Sequence, residues 1–278
     1  MAASDNGLQV TVLGAVRAFV AGHEITLGPA RQRTVFAVLA ARPGRLVGRD
    51  ELIDAVWGAS TPPTATGSVY TYVSGLRRAL QSRAHQRSAE VLSSGSAGYS
   101  LHLDERDLDA AEFVRLRATA QHRLSEGDEL GAVDALDTAL GLWHGEAYAG
   151  LAGPFIELER QRLADLRLTT FVQRARVLLD GGHQRGRGHD HGDLVAELTG
   201  LVHRHPLHEG LHELLVQALH RSGRHAESLL AYRAARQTLM RELGVSPGPA
   251  LRRLHQDIIG GTADPDGPPA LLRQPVRT

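Results

Sequence analysis

The sequence predicts a mostly α chain in two parts: a module of short strands, three helices and a hairpin, then an all-α stretch. Three observations carry this expectation. Residues 8–27 and 91–103 alternate apolar and polar positions around glycines, residues 29–80 place apolar side chains at three-and-four spacing, and residues 108–260 keep helical periodicity almost without a break. With 278 residues, 42% of them hydrophobic, the chain is long enough for two cores. The expected division is 1–103, 104–261 and a tail at 262–278 whose Pro, Gly and Asp read as a flexible end or a linker.

Within the first part, Val10, Val12 and Val16 alternate around Gly14, and residues 24–27 offer a further strand after the Ala21-Gly22-His23 turn, which together make a small antiparallel sheet. Pro29 suits the first turn of a helix whose apolar face is Val35, Phe36, Val38 and Leu39 and which ends near Pro43-Gly44. A second helix runs from Arg49 or Asp50 to Trp57 and stops at Gly58. The third, residues 64–80, repeats Val69, Tyr72, Val73, Leu76 and Leu80 on one face. At 100° per residue the opposite face collects Gly67, Thr71, Ser74 and Arg78, flanked by Tyr70, Gly75 and Arg77. Residues 91–93 and 99–103 flank Gly95-Ser96-Ala97-Gly98 and read as a hairpin.

Sheet, three helices and hairpin, in that order, describe a winged helix-turn-helix. That architecture has a defined pose on DNA: third helix in the major groove, hairpin over the neighbouring minor groove, second helix across the backbone. In that pose Arg77 and Arg83 hold phosphates, while Tyr70, Thr71, Ser74 and Arg78 approach base edges. The competing reading is a winged helix that binds another protein and leaves DNA unread.

The second part starts with a helix hairpin, residues 111–124 and 131–143 joined by Ser125-Glu126-Gly127-Asp128, and continues with a long helix at 153–180. Further helices at 194–203, 208–221 and 224–243 are separated by Pro206 and Ser222-Gly223, and a last one follows Ser246. Leu219, Gly223, Ala226, Tyr232 and Ala235 have the layout of a tetratricopeptide-like repeat, in which glycine permits the sharp turn and alanine the close crossing. Such a stack offers a concave surface to a peptide, another protomer or a polymerase subunit.

Charge sharpens the division. All 31 basic side chains are arginine and balance 31 acids, so the whole chain is formally neutral. Residues 1–103 carry ten arginines against six acids, net +4, whereas residues 104–278 carry twenty-one against twenty-five, net −4. The basic part is the one suited to a polyanion.

The absence of cysteine excludes disulfides, thiol nucleophiles and thiolate metal sites, and fits a reducing compartment. No basic-then-apolar leader opens the chain and no run of 18 apolar residues follows, so a cytoplasmic protein with no membrane partner is expected. One string has an enzymatic reading: His208-Glu209-Gly210-Leu211-His212 matches the zincin pattern, but it sits at the start of a repeat helix with no downstream third ligand. His183, His189, His191, His203 and His205 form a histidine-rich stretch better suited to adventitious metal than to chemistry. No phosphate loop, dinucleotide fingerprint or nucleophile elbow is present. No catalytic residue and no cofactor is expected.

Several strings together resemble the Streptomyces antibiotic regulatory proteins. They are Leu27-Gly28-Pro29-Ala30-Arg31-Gln32-Arg33, Leu52-Ile53-Asp54-Ala55-Val56-Trp57-Gly58, Tyr72-Val73-Ser74-Gly75-Leu76-Arg77-Arg78-Ala79-Leu80, His205-Pro206-Leu207 and Glu242-Leu243-Gly244-Val245-Ser246-Pro247-Gly248-Pro249. The resemblance implies an OmpR-type winged helix followed by a bacterial transcriptional activation domain. It implies binding to direct repeats in promoters of secondary-metabolite (antibiotic) clusters, self-association of two or more protomers on DNA, and recruitment of RNA polymerase holoenzyme. It adds Arg31 and Arg33 to the DNA-facing set and puts residues 58–63 near a polymerase-contacting surface. Two departures stand out: Gly75 replaces an arginine common in relatives, read as a lost DNA contact, and residues 186–192 look like an insertion into a turn.

Overall fold

The computed structural model describes residues 7–81, 91–95, 97–181 and 191–261, in two compact units, Met1–Arg174 and Ala175–Thr278. In the first, β1 (Leu8–Thr11), β2 (Arg17–Val20) and β3 (His23–Ile25) form an antiparallel sheet in that order, with Leu8 opposite Val20 and Ala18 opposite Ile25. Alternation sends Leu8, Val10, Ala18 and Val20 inward. Three helices follow: α1 (Ala30–Ala40), with Pro29 at its N-cap, α2 (Arg49–Trp57) and α3 (Ala65–Gln81). A single 3-10 turn at Gly58–Ser60 separates the last two.

The hairpin of β4 (Leu92–Gly95) and β5 (Gly98–Leu101) completes the winged helix-turn-helix. Its anchor is a third segment: Val47 and Tyr99 exchange two backbone bonds, 2.8 and 2.9 Å, just before α2. Gly98 is required there, since a Cβ would fall inside contact distance of the Val47 carbonyl. The hydrophobic core runs from Val35, Phe36 and Leu39 of α1 through Leu52 and Val56 of α2 to Val69, Val73, Leu76 and Leu80 of α3.

That core does not stop at residue 103. It continues into Phe113 and Leu116 of α4 (Asp109–Ser125), then Tyr148, and Ile156 and Leu163 of α6 (Pro154–Asp180). Helix α5 (Glu129–Gly141) packs antiparallel-fashion on α4 through Ala120, Ala132, Ala135 and Leu136, the small residues bringing the two helices close. The sheet joins this helical part by backbone bonds: His144 N–H donates to Leu13 O, Tyr148 N–H to Val12 O and Ala149 N–H to Gly14 O, all at 2.8–2.9 Å. Asp109, first residue of α4, closes the joint. Its carboxylate accepts from the N–H groups of Val12 (2.8 Å) and Leu13 (3.0 Å). The charge split at residue 103 therefore does not coincide with the compact units, whose division falls within α6.

The second unit holds α7 (His191–Arg204), α8 (Glu209–Arg221), α9 (His225–Leu243) and α10 (Pro249–Gly261). Val216, Tyr232, Ala235, Leu251 and Ile258 make its core, and Ser228, fully buried, donates its hydroxyl to Val216 O at 3.0 Å across the α8–α9 crossing. This is the geometry the Leu219-to-Ala235 pattern predicts. Of the stretch that reads as an insertion, residues 186–190, with His189, lie outside the described residues, as does His183, and residues 191 and 192 open α7.

Burial raises the Asp109 carboxyl from 3.8 to about 6, against the lowering effect of its backbone donors and of His144 nearby. Between those values the native state holds a proton that the unfolded chain has released, so this group's contribution is fully present below pH 4 and is lost as pH rises through 6. Asp109→Asn keeps an acceptor and removes the titration. The expected result is that wild-type stability in urea, relative to the variant, falls by about 2–3 kcal/mol from pH 4 to pH 6.5. Parallel pH dependence in both chains would assign the effect elsewhere.

Candidate nucleic-acid interface

Helix α3 is strongly two-sided. Ala65, Val69, Val73, Leu76 and Leu80 are buried, while Thr66, Gly67, Tyr70, Thr71, Ser74, Arg78 and Gln81 form an exposed stripe. No carboxylate lies anywhere on this helix. Tyr70 is 54% exposed although it is a large aromatic, which puts a stacking and hydrogen-bonding group in solvent. The Thr71 hydroxyl donates to Gly67 O at 3.0 Å and keeps acceptor capacity. Thr71, Ser74 and Arg78 share this stripe, as the 100° spacing predicts.

The other site residues divide. Arg77 is half-buried and its Nε donates to Leu92 O at 3.1 Å, so it ties α3 to the wing. Arg31 donates through Nη1 to Val56 O at 2.8 Å and lies over the Trp57 ring at 5.9 Å, closing the C-terminal end of α2. Arg33, also on α1, is half-buried with its Nε in the interior. Among the described residues no contact joins Arg31 or Arg33 to the α3 stripe. Arg83 lies outside the described residues.

Gly75 corrects an expectation. It faces α1, not the exposed stripe: a Cβ there would sit 2.6 Å from Gln32 Oε1. Gln32 in turn donates its Nε2 to Leu27 O at 2.9 Å, so the missing side chain lets α3 close on a glutamine that holds the turn before α1. The exchange of arginine for glycine is a packing change.

Two functional neighbours were not legible from the sequence. Arg49, at the start of α2, donates Nη1 to the Tyr70 hydroxyl at 3.3 Å. Tyr99 of the wing, pushed up in pKa by burial, feels Tyr70, Arg77 and Arg49 as its ionisable neighbours. The four come from α2, α3 and the hairpin, and Arg49 and Tyr99 stand 21 and 29 residues from Tyr70 in sequence, separations no local pattern reports.

Of the eight described arginines in residues 7–101, Arg17, Arg42, Arg45 and Arg49 face Glu24, Glu51 or Asp50, and Arg31 and Arg77 donate to carbonyls. Arg33 and Arg78 are the two guanidiniums without a hydrogen bond or ion pair among the described residues, and of these Arg78 is the exposed one.

The zincin string is occupied by structure. His208 caps α8, its Nδ1 accepting from Leu211 N–H at 3.2 Å; His212 Nε2 bonds Pro206 O at 2.8 Å; Glu209 accepts from Gly248 N–H at 2.5 Å. The two rings and the carboxylate point to three different partners. Among the described residues no helix is long and apolar enough to cross a membrane.

A winged helix-turn-helix with an exposed, acid-free third helix, followed by tetratricopeptide-like helices, defines a class of bacterial transcriptional regulators. The profile of the bacterial transcriptional activator domain matches residues 108–259, and that of the C-terminal domain of transcriptional regulatory proteins matches residues 22–101. The chain belongs to the Streptomyces antibiotic regulatory protein family. It is 42% identical over 262 residues to the regulatory protein AfsR of Streptomyces coelicolor, covering 94% of this chain and 25% of that protein, so it spans about a quarter of that relative's length. It is 34% identical to the regulatory protein DnrI of Streptomyces peucetius, with 93% of each covered. The solved structure of Mycobacterium tuberculosis EmbR in complex with a low-affinity phosphopeptide superposes with a TM-score of 0.82 at 30% identity, covering 92% of this chain and 65% of that one.

The Arg77–Leu92 bond makes a structural test. Arg77→Met keeps the aliphatic stem and removes the donor, and the expected result is faster amide exchange in β4 and β5, by roughly fivefold for a loss of about 1 kcal/mol, with α1 unchanged. Unchanged exchange in the hairpin would show that the bond does not hold the wing.

Proposed function

We propose that the chain is a sequence-specific transcriptional activator that reads promoter DNA with the exposed stripe of α3. The observation that carries this reading is the stripe itself: Tyr70, Thr71, Ser74 and Arg78 in one line, free of carboxylates, between the start of α2 and the wing. Hydroxyls and an arginine are the donors and acceptors that base edges in the major groove accept. Arg49 and the wing take phosphates at the flanks, Arg77 orients the wing while its remaining donors reach the backbone, and Arg31, Arg33 and Arg83 complete the electrostatic footprint.

The names of the relatives, regulatory proteins and transcriptional regulators, support the regulatory reading. Binding is to direct repeats in promoters of secondary-metabolite genes in the cytoplasm, with protomers side by side on one face of the duplex. Half-sites one helical turn apart, about 10–11 base pairs or a multiple, meet that geometry. The helical region 104–261 then lies next to RNA polymerase holoenzyme, with the exposed turn after α2 as one contact, and activation is by local concentration. No bond is made or broken.

Arg78→Ala is the direct test. Specific promoter affinity is expected to fall by about 10- to 100-fold in a gel shift, the loss of one bidentate base contact, with preference relaxed at one base position. Unchanged affinity for both specific and random duplexes would remove Arg78 from the interface. Selection from a random duplex pool is expected to return a directly repeated element; a palindrome or no enrichment would overturn the side-by-side reading.

A further inference from the structure

The second unit carries a histidine pair that the DNA-binding reading does not use. His220 stands in the last turn of α8 and His225 is the first residue of α9. Their Nδ1 atoms are 2.9 Å apart, with ring centroids at 4.8 Å and planes inclined by 60°.

Four other histidines of the described chain are committed to the protein. His208 Nδ1 caps a helix, His212 bonds Pro206 O, His144 Nδ1 bonds Leu142 O, and His255 stacks on Tyr232. The rings of His220 and His225 are hydrogen-bonded only to each other among the described residues. The frame beneath them is rigid. Gly223 N–H donates to His220 O, Arg224 N–H to Leu219 O, and buried Ser228 bolts α9 to Val216 O, so both rings are placed by backbone and core.

We infer that His220 and His225 form a two-imidazole chelate for a divalent transition-metal ion of the square-planar or octahedral class, Cu²⁺ or Ni²⁺. In the metal-free pair one Nδ1–H donates to the other Nδ1. Moving that proton to Nε2 of the same ring frees both Nδ1 lone pairs, and a rotation of the rings about their side-chain bonds lets the two share one ion, with no net proton released at neutral pH. Metal–nitrogen bonds of about 2.05 Å at a right angle span nitrogens about 2.9 Å apart, so both rings stand within reach of one square-planar or octahedral ion, and Cu²⁺ heads the affinity order for imidazole ligands. Arg221 opposes a dication and Arg224 is neutralised by Glu227, so the local field subtracts about one exposed charge.

The test titrates Cu²⁺ alone into the full chain at pH 7 against a graded competitor such as glycine, with electron paramagnetic resonance as the readout. The first equivalent is expected to show two equatorial imidazole nitrogens. His220→Gln and His225→Gln are each expected to weaken it at least tenfold, and the double variant no further than either, because a chelate is lost once. Zn²⁺ is expected to bind this pair more weakly than Cu²⁺. His225 is exposed, so its variant keeps the fold, and circular dichroism checks this. Unchanged first-equivalent affinity in both single variants would place the ion elsewhere, and losses that add in the double variant would make the two rings independent ligands; either overturns the chelate. Specific DNA affinity of the metal-free variants is expected to match wild type, which separates this inference from the DNA-binding reading.

Discussion

The first unit depends on a joint made almost wholly of backbone bonds, with one carboxylate at its centre. Residues 12–14, leaving β1, would present bare N–H and C=O groups at the edge of a three-stranded sheet too small to stand alone. Asp109 takes two of the N–H groups, and the N–H groups of His144, Tyr148 and Ala149 satisfy the facing carbonyls. Tyr148 is held at a φ of +55° to do so, a conformation a buried aromatic keeps only when its neighbours fix it. Sheet, α4 and the start of α6 consequently share one core, and α1–α3 are positioned by elements that follow them in sequence.

Much of this architecture was readable in advance because its signals are local. The apolar period of residues 64–80 gives α3 to within a residue at each end, Gly98 and its neighbours give the hairpin, and the Leu219-to-Ala235 spacing gives the α8–α9 crossing. What escaped was long-range. Asp109 reads as an ordinary acidic first-turn residue, and nothing nearby says that its partners are 96 and 97 residues away. The continuity of the core is hidden for the same reason: charge changes sign at residue 103, but the hydrophobic contacts that run from α1–α3 into α4 and α6 ignore charge. Gly75 reads as a solvent-side substitution because a perfect 100° wheel puts it on the flank, and only the path of α1 shows Gln32 standing against it. The histidine-glutamate string matched a catalytic pattern because a sequence match records spacing and not direction. Capping and carbonyl bonds turn its three groups apart.

Arginine allocation is the constraint on how the interface works. A net of +4 suggests an electrostatic binder, yet most of the guanidiniums in the winged helix are engaged inside the protein: closing α2, tying the wing, or facing a glutamate or aspartate. Each phosphate contact contributes to affinity through released counterions, so a module with few available cations gains little from that term alone. Its exposed recognition surface is small and mostly neutral, which favours discrimination over strength. A protein built this way reaches useful occupancy by multiplying modest contacts, because a second protomer on an adjacent repeat converts its own weak binding into an effectively intramolecular event. On the proposed function, limited charge in the winged helix and a repeated promoter element are two sides of one design: a module that bound tightly alone would not need a repeat and would not distinguish one from an isolated half-site.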